Sequence, residues 1–552
     1  MKPYDMNTFI NRYNIFILFV ILVFASLLRL PTLFEPWGGD QGVYGYIAKG
    51  LLEGKVPYRD MYSSTGYGIF FIYALLYKLF GTNMAALHIG DFLSILLTVG
   101  LVYFITCRLY GRRSATLAAI LTALFASGSA FSGMYDLRGA WGTYWQLAQR
   151  ETFMLPIFTS AIIIMILADQ KQKCHPYFWV GILIGMAAII KFTAILMAFF
   201  LLLYVFYAEV FRSDGDGIRI FILKSILAVS GFVIIQIPFL FYFWINDSLQ
   251  IMYNAVFVHT SIYAGLSRGN IIASAFQGNT FIIRENLILW LFTPVTVLYL
   301  LYKDKKREDM LLVIWALGTI LMVWGQGKFF GYHYILIIAP FSILTGLGIV
   351  QFLNIKPGWW ASIWAARKNL TLIFLWILIA GNLLAFFIIN YDYYKWHALY
   401  LSDNISKEQY YEVFNEYPLH LYSFRADNDV ASYLKTHGKK NDKIRTINGG
   451  GDTIIQFLTG TELSTRFTST WYLFNPGLYH NPLTGKLRKE LIEEIKSEQP
   501  EYILLIFYNM EEFREQYNGP DFEDITALMD YINENYILEK SFSDRRTLYK
   551  RI

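Results

Sequence analysis

The sequence predicts a mainly α-helical protein that crosses a membrane many times and ends in a smaller α/β domain. Of its 552 residues, 55% are hydrophobic and only 16% are charged, whereas soluble domains carry roughly 25% charged residues. Long apolar segments recur from residue 14 to residue 390. After Tyr391 the composition becomes charged, with ordinary globular spacing. These observations predict a transmembrane domain over 1–390 and a second domain over 391–552.

The apolar segments are long enough to be transmembrane helices. A bilayer core of about 30 Å requires roughly 20 apolar residues per helix. This rule predicts eleven spans, at approximately 14–30, 84–107, 114–132, 152–168, 177–190, 193–208, 222–244, 286–302, 310–325, 334–353 and 370–390. Only Lys191 and Phe192 separate the fifth span from the sixth, so one long broken helix is an alternative. Because a charge in mid-membrane is costly, Lys191 is placed at an interface.

The distribution of Lys and Arg predicts the orientation. One set of short connections holds most of the basic residues, which favours a cytoplasmic N-terminus. An odd number of spans then puts everything after Asn390 on the periplasmic or extracellular side of the cell membrane. The net charge of +5 fits basic cytoplasmic loops, and no dense Lys/Arg run indicates nucleic-acid binding. Cys107 and Cys174 both fall on the cytoplasmic side, so no disulfide framework is implied.

The first outer loop, residues 31–83, combines acids with aromatic residues. Surface helices are predicted at 41–53 and 67–80, and the second is apolar enough to lie in the membrane interface. Shorter outer connections follow at 133–151, 245–285 and 325–334. Within the first loop the candidates for substrate contact are Tyr44, Tyr58, Arg59 and Asp60. Asp60 is also explained as a structural acid beside Arg59.

The C-terminal region alternates helical and extended patterns, which favours a small α/β or α+β domain. Helices are predicted near 427–437, 452–459, 484–497 and 523–534, and strands at 443–447, 502–507, 536–540 and 546–550. Gly449–Gly451 follows a predicted strand and precedes a helix. This stretch is a tight turn or an anion-binding turn, without the spacing of a nucleotide-binding loop.

Two acids stand out among the predicted outer segments. Asp40 follows two glycines, and it is interpreted as an N-cap of helix 41–53, as a catalytic acid, or as both. Glu151 opens the next apolar segment, where the helix dipole favours an acid, and Arg150 precedes it. Asp136 and Arg138, in the same connection, are weaker candidates.

Basic residues at the predicted outer ends of spans are candidates for binding a phosphate. Lys191 is either such a cation or a lysine whose chain reaches the interface. Lys328, His333 and Tyr334 combine a base, an imidazole and an aromatic hydroxyl before a span, and Arg284 precedes the eighth span. The zinc motif HExxH, paired CxxC and the EF-hand loop are all absent from the sequence. A lone divalent cation between Asp40 and Glu151 is left open, and no other cofactor is implied.

Several motifs occur in the order of a known enzyme group. They are Asp40-Gln41-Gly42, GKVPYRD (54–60), YALLYKLFG (73–81), Glu151, KFTA (191–194) and FFGYHYILIIAP (329–340). As a set they resemble the membrane-embedded GT-C glycosyltransferases, in particular bacterial relatives of dolichyl-phosphate-mannose protein mannosyltransferases and of the lipid A aminoarabinose transferase. The resemblance covers roughly residues 15–350 and implies the GT-C fold.

The resemblance also implies a reaction. A sugar would move from a polyprenyl-phosphate donor to an acceptor hydroxyl on a lipid, protein or cell-surface glycan, with inversion at the anomeric carbon. Asp40 would be the general base, and Glu151 would orient a substrate or share a metal. Lys191 is the first choice for stabilising the leaving phosphate, followed by Arg284, Lys328 and His333.

Two positions depart from the family pattern. Gln41 replaces a second acid, and SSTGYG (63–68) replaces a basic-Pro-Pro segment. The first departure weakens the case for a metal, and both bear on the acceptor. A lipid-linked sugar flippase or a glycan polymerase is the alternative function. Inverted repeats and broken helices with charges near the midplane are typical of transporters such as a flippase, and the sequence shows neither feature.

Overall fold

The computed structural model describes residues 11–128, 147–211, 215–265, 271–303, 306–353, 361–414, 423–439, 441–448, 453–507, 515, 522–543 and 545–552. Asp136, Arg138 and Gly449–Gly451 lie outside the described residues. The described helices are α1 (Arg12–Arg29), α2 (Gly39–Leu52), α3 (Gly68–Phe80), α4 (Met84–Tyr110), α5 (Arg112–Phe125), α6 (Arg150–Gln170), α7 (Pro176–Ile190), α8 (Ala194–Phe206), α9 (Gly217–Ile245), α10 (Leu249–Tyr253), α11 (Thr260–Gly265), α12 (Ile271–Glu285), α13 (Leu287–Tyr302), α14 (Arg307–Trp324), α15 (Ile335–Leu353), α16 (Ala361–Ile389), α17 (Tyr391–Leu401), α18 (Lys407–Glu412), α19 (Phe424–His437), α20 (Ile454–Thr459), α21 (Pro482–Glu498) and α22 (Glu523–Asn535). The strands are β1 (Ile444–Ile447), β2 (Tyr502–Ile506), β3 (Tyr536–Ser541) and β4 (Arg546–Arg551).

A helix lies at each of the eleven predicted spans, and the protein is a multi-pass membrane protein. Among the described residues, six helices are individually long and apolar enough to cross a membrane. The second half of α16 and α17, bent by 48°, form a seventh if they are one span. The remaining predicted spans fall on helices that are shorter, such as α7 and α13, or that begin with charged residues, such as α14. The predicted sidedness stays a prediction.

The chain leaves the helical conformation between α7 and α8. Lys191 is extended, with φ −149° and ψ 118°, and α8 starts at Ala194. The helix is broken at this point, and the alternatives of two spans and of one long broken helix both stay predictions. The break places a lysine side chain at the junction of two apolar helices, at the end of the bundle that carries the loop 31–83.

A buried charge network joins α6, α8, α9 and α14 at the end of the helix bundle that lies away from the loop 31–83. The Lys224 ammonium lies 2.7 Å from Asp169 and 2.8 Å from Glu209, and Arg307 lies 3.1 Å from Glu209. The Tyr204 hydroxyl donates to Asp169 over 2.6 Å. Two cations compensate two carboxylates, so the desolvation cost of each charge is offset. This network fixes the far end of the bundle.

The C-terminal region contains a four-stranded sheet in the order β1-β2-β4-β3. Strands β1 and β2 are parallel, with Ile444 beside Tyr502, and the other pairs are antiparallel. The predicted helices and strands of this region are all present, with ends that differ by a few residues. The domain boundary at residue 390 stays a prediction.

The C-terminal region packs on the first outer loop. Tyr62 exchanges backbone hydrogen bonds with Arg466 and Thr468 over 2.7 and 3.2 Å. The Trp37 and Phe457 rings lie 4.1 Å apart, and the Tyr46 hydroxyl accepts from the Leu463 amide over 3.1 Å. Helix α2 is thus held between the membrane helices and the C-terminal region.

Candidate active site

Asp40 lies in the first turn of α2, which begins two residues earlier than predicted. The N-cap position is Gly38, and the Gln41 side chain accepts a 2.7 Å hydrogen bond from its amide. The interpretation of Asp40 as the N-cap is therefore wrong. Asp40 lies inside the helix instead, and its carboxylate receives a hydrogen bond from the Gln149 side chain.

Arg150 and Glu151 form the first turn of α6. Glu151 is fully buried and forms an ion pair with Lys191. The same Glu151 oxygen, Oε1, lies 3.7 Å from Nε2 of His333. Three distant stretches of sequence therefore meet at one carboxylate: the start of α6, the break before α8 and the turn before α15.

Arg150 connects this carboxylate to the first outer loop. Its guanidinium carbon lies 6.0 Å from the centroid of the Tyr44 ring, at the limit of a cation–π contact. Burial raises the pKa of the Asp40 carboxyl, while the Arg150 charge and the Gln149 hydrogen bond oppose that rise. Asp40 is therefore an acid with increased proton affinity beside a cation.

Lys328 lies next to this cluster. Its ammonium donates to the Tyr263 carbonyl over 3.1 Å and lies 3.7 Å from the Tyr263 ring centroid. Partial burial lowers the pKa of Lys328 to about 8. With Arg150 and Lys191 it makes three cations against the two carboxylates, an excess of one positive charge. That balance suits a monoanionic ligand.

Other predicted site residues have structural partners. The Tyr58 hydroxyl donates to the Thr65 carbonyl over 2.6 Å. Arg59 and Asp60 form an ion pair with each other at 2.8 Å, and Asp60 also accepts from the Val56 amide. Tyr334 donates to Asn279 over 2.8 Å. Arg284 is exposed at the end of α12, unlike the buried cluster.

Sequence reasoning missed Gln149 and Tyr263. Gln149 directly precedes Arg150, so the neighbourhood of a candidate acid was the available signal. Tyr263 belongs to α11 and lies within electrostatic range of both Asp40 and Arg150. No local pattern distinguishes it from the many other tyrosines of this chain.

A divalent cation between Asp40 and Glu151 stays a prediction. Among the described residues there is no group of three or more His, Cys, Asp and Glu side chains able to hold an ion. Glu151 pairs with Lys191 through its Oε1 atom. The cluster is thus arranged as ion pairs.

Comparison with known proteins identifies the fold. A search of curated protein sequences found no match. Residues 65–244 match the family model described as dolichyl-phosphate-mannose-protein mannosyltransferase.

Two solved structures resemble the whole chain. ArnT from Cupriavidus metallidurans, bound to undecaprenyl phosphate, is 16% identical with a TM-score of 0.59, and the match covers 97% of this chain and 98% of that one. The oligosaccharyltransferase AglB from Archaeoglobus fulgidus, in complex with an inhibitory peptide and a dolichol-phosphate, is 13% identical with a TM-score of 0.53, over 98% and 75% of the two chains. The chain therefore shares the fold of these two membrane proteins, and residues 65–244 also match the mannosyltransferase family model.

Proposed function

We propose that the protein transfers a sugar from a polyprenyl-phosphate donor to an acceptor hydroxyl, with inversion at the anomeric carbon. The observation that carries the proposal is the convergence of Asp40, Arg150, Glu151 and Lys191 at one end of the helix bundle. The undecaprenyl phosphate bound to ArnT and the dolichol-phosphate bound to AglB support a donor in which the sugar is attached to a lipid phosphate. The acceptor is a lipid, a protein or a cell-surface glycan.

Asp40 acts as the general base. Its carboxylate takes the proton of the acceptor hydroxyl while the oxygen attacks the anomeric carbon from the face opposite the phosphate. The bond between that carbon and the phosphate oxygen breaks, and the polyprenyl phosphate leaves with the electron pair. Because the leaving phosphate is already a weak base, it requires positive charge more than a proton.

The cations of the cluster supply that charge. Lys191 and Arg150 are held in place by Glu151 and by the ring of Tyr44, respectively. Glu151 orients Lys191, and His333 lies near the same carboxylate oxygen. Lys328 adds a cation at the edge of the cluster. Positioned charges in a water-poor site stabilise developing charge more strongly than water does.

The Asp40→Asn substitution tests the proposal. We expect the rate of undecaprenyl phosphate release from an undecaprenyl-phosphate sugar to fall roughly 10²- to 10⁴-fold in membranes that contain the native acceptors. Binding of undecaprenyl phosphate is expected to persist. Asp247→Asn is the matched control, because Asp247 is exposed and has φ 53°, which asparagine tolerates. Full transfer by the Asp40→Asn variant would contradict Asp40 as the base.

A further inference from the structure

Leu147 and Ala148, shortly before the start of α6, are held by hydrogen bonds to three side chains. The Gln41 amide donates to the Leu147 carbonyl over 2.5 Å. The Tyr73 hydroxyl donates to the Ala148 carbonyl over 2.7 Å, and the Ala148 amide donates to Asp91 over 3.0 Å. Ala148 has φ 49°, a conformation that residues other than glycine rarely adopt. The hydrogen bonds hold this turn against its intrinsic preference.

Asp91 is itself fixed by a buried arginine. Arg29 donates to Asp91 Oδ2 through both Nε and Nη2, over 3.2 and 2.6 Å. Its Nη1 donates to the Ala126 carbonyl over 2.5 Å. Both charged side chains are fully buried. A buried ion pair with this many hydrogen bonds tolerates little movement, so α1 and α4 provide a rigid support for the turn.

The turn determines where two functional side chains point. Gln149 follows Ala148 and hydrogen-bonds Asp40, and Glu151 lies two residues further on and pairs with Lys191. Gln41 is the neighbour of Asp40 in the chain. The hydrogen bond from Gln41 to Leu147 and the one from Gln149 to Asp40 therefore join the first turn of α2 twice to the segment that leads into α6.

We propose that Gln41, together with Asp91 and Arg29, positions the base and its partner: these residues fix the Leu147–Ala148 turn so that Gln149 meets Asp40 and Glu151 meets Lys191. This inference rests on the proposed function. It also assigns a role to the position where the family pattern has a second acid. An amide donates and accepts at once, and both are used here, toward Leu147 and Gly38. An ionised carboxylate only accepts.

Two substitutions at Gln41 test the proposal. Gln41→Met removes both hydrogen bonds with little change in volume. We expect the rate of undecaprenyl phosphate release to fall roughly 10- to 100-fold, the usual effect of misplaced catalytic groups. The acidic limb of the pH–rate profile is expected to move to higher pH, because losing the Gln149 hydrogen bond favours the protonated form of Asp40. Gln456→Met is the control for a general folding defect. Gln456 is also a buried glutamine, but it lies in the C-terminal region and donates to the Ile444 carbonyl.

Gln41→Glu gives an independent signature. The introduced carboxyl donates to the Leu147 carbonyl only when it is protonated, so the variant should lose activity, relative to the native protein, as the pH rises through the pKa of that carboxyl. A defect in folding alone would lower activity by the same factor at every pH, as expected for Gln456→Met.

The possible results separate this inference from the proposed function. An Asp40→Asn variant with full activity overturns the proposed function and this inference with it. An inactive Asp40→Asn variant, combined with a native acidic limb in Gln41→Met and a pH-independent defect in Gln41→Glu, overturns the positioning role alone. Activity of Gln41→Glu above that of the native protein also overturns it, because a carboxylate would then be preferred at this position.

Discussion

Glu151 and Asp40 are the two carboxylates of the site, but they differ in exposure and in the charge of their hydrogen-bonding partners. Glu151 is fully buried and faces the Lys191 ammonium at ion-pair distance. Asp40 is partly exposed and is bonded by the neutral Gln149 amide, with the Arg150 charge nearby. A base must release and take up a proton at moderate cost. This difference supports the proposal that Asp40 is the base and that Glu151 has the orienting role.

The raised pKa of Asp40 predicts the acidic side of the activity profile. The carboxylate form is required, so the transfer rate should fall as the pH drops through a pKa above the ordinary aspartate value of about 3.9. A pH–rate profile at saturating donor checks this expectation. A rate that stays constant down to about pH 4 would contradict it. Asp40→Glu, which keeps a carboxyl, should retain an acidic limb at reduced rate.

Lys328 predicts a change on the alkaline side. Its pKa of about 8 means that the ammonium is charged at neutral pH and loses its charge as the pH rises above that value. Binding of undecaprenyl phosphate should therefore weaken as the pH rises from 7 to 9, which is from about one unit below this pKa to about one unit above it. Lys328→Arg should lose less affinity than the native protein over this range, because a guanidinium stays protonated. Some loss remains, since burial lowers the pKa of Lys191 to about 8 as well. The prediction would be contradicted if the affinity of the native protein for undecaprenyl phosphate did not change with pH in this range.

The ends of helices, rather than their middles, build the site. Asp40 and Glu151 lie in first turns, and Lys191 lies where α7 stops. The segment SSTGYG (63–68) adjoins this stop. A Cβ atom on Gly66 would lie 2.8 Å from the Ile190 carbonyl oxygen, and one on Gly68 would lie 2.8 Å from the Ile189 carbonyl carbon. The glycines therefore let the start of α3 contact the backbone that immediately precedes Lys191.

Alanine at either glycine should displace that backbone. We expect Gly66→Ala and Gly68→Ala to cost about 1–3 kcal/mol of stability, since neither contact is with a flexible side chain. Activity should fall as well because Lys191 moves relative to Glu151. Thermal unfolding in detergent and the transfer rate are the measurements. Gly100→Ala, where an added Cβ meets nothing within 4 Å, should be neutral or stabilising. Native-like values in the first two variants would show that the contact is dispensable.

At the scale of the whole molecule, the C-terminal region takes part in holding α2. Gly42, two residues after Asp40, packs against Ile454, and Trp37 contacts Phe457. Tyr62 pairs with Thr468 through backbone and side-chain bonds. The helix that carries the base is therefore in contact with α20 on one side and with the membrane helices on the other. Loosening the C-terminal region should disturb the base.

Phe457→Ala tests this coupling. Removing the ring that contacts Trp37 should lower stability by about 1 kcal/mol or more. It should also increase hydrogen exchange in α2, as measured by mass spectrometry. Ile537→Ala, at an exposed position of β3, is expected to change neither quantity. Unchanged exchange in α2 with a lowered unfolding temperature would mean that the contact stabilises only the C-terminal region.

The helices and strands were largely predictable because their signals are local. Among the described residues, a helix lies at each segment that hydropathy predicted as a span, and the spacing of charged and apolar residues located the C-terminal elements. The site was predictable only in part. Asp40, Glu151, Lys191 and His333 stand in motifs, whereas Gln149 and Asp91 act through contacts with residues far away in the chain. A buried hydrogen bond between distant segments leaves no periodic pattern in either segment.

The sequence by itself determined that this chain is a multi-pass helical membrane protein with an α/β C-terminal region, and that acids and cations lie at helix ends. Burial of apolar residues acts along each segment, so its pattern is readable without the fold. Only the tertiary structure decided that Glu151 pairs with Lys191, that Gln149 bonds Asp40 and that Gln41 holds the Leu147 carbonyl. Such partners are selected by distance in space, and distance is set when the helices pack.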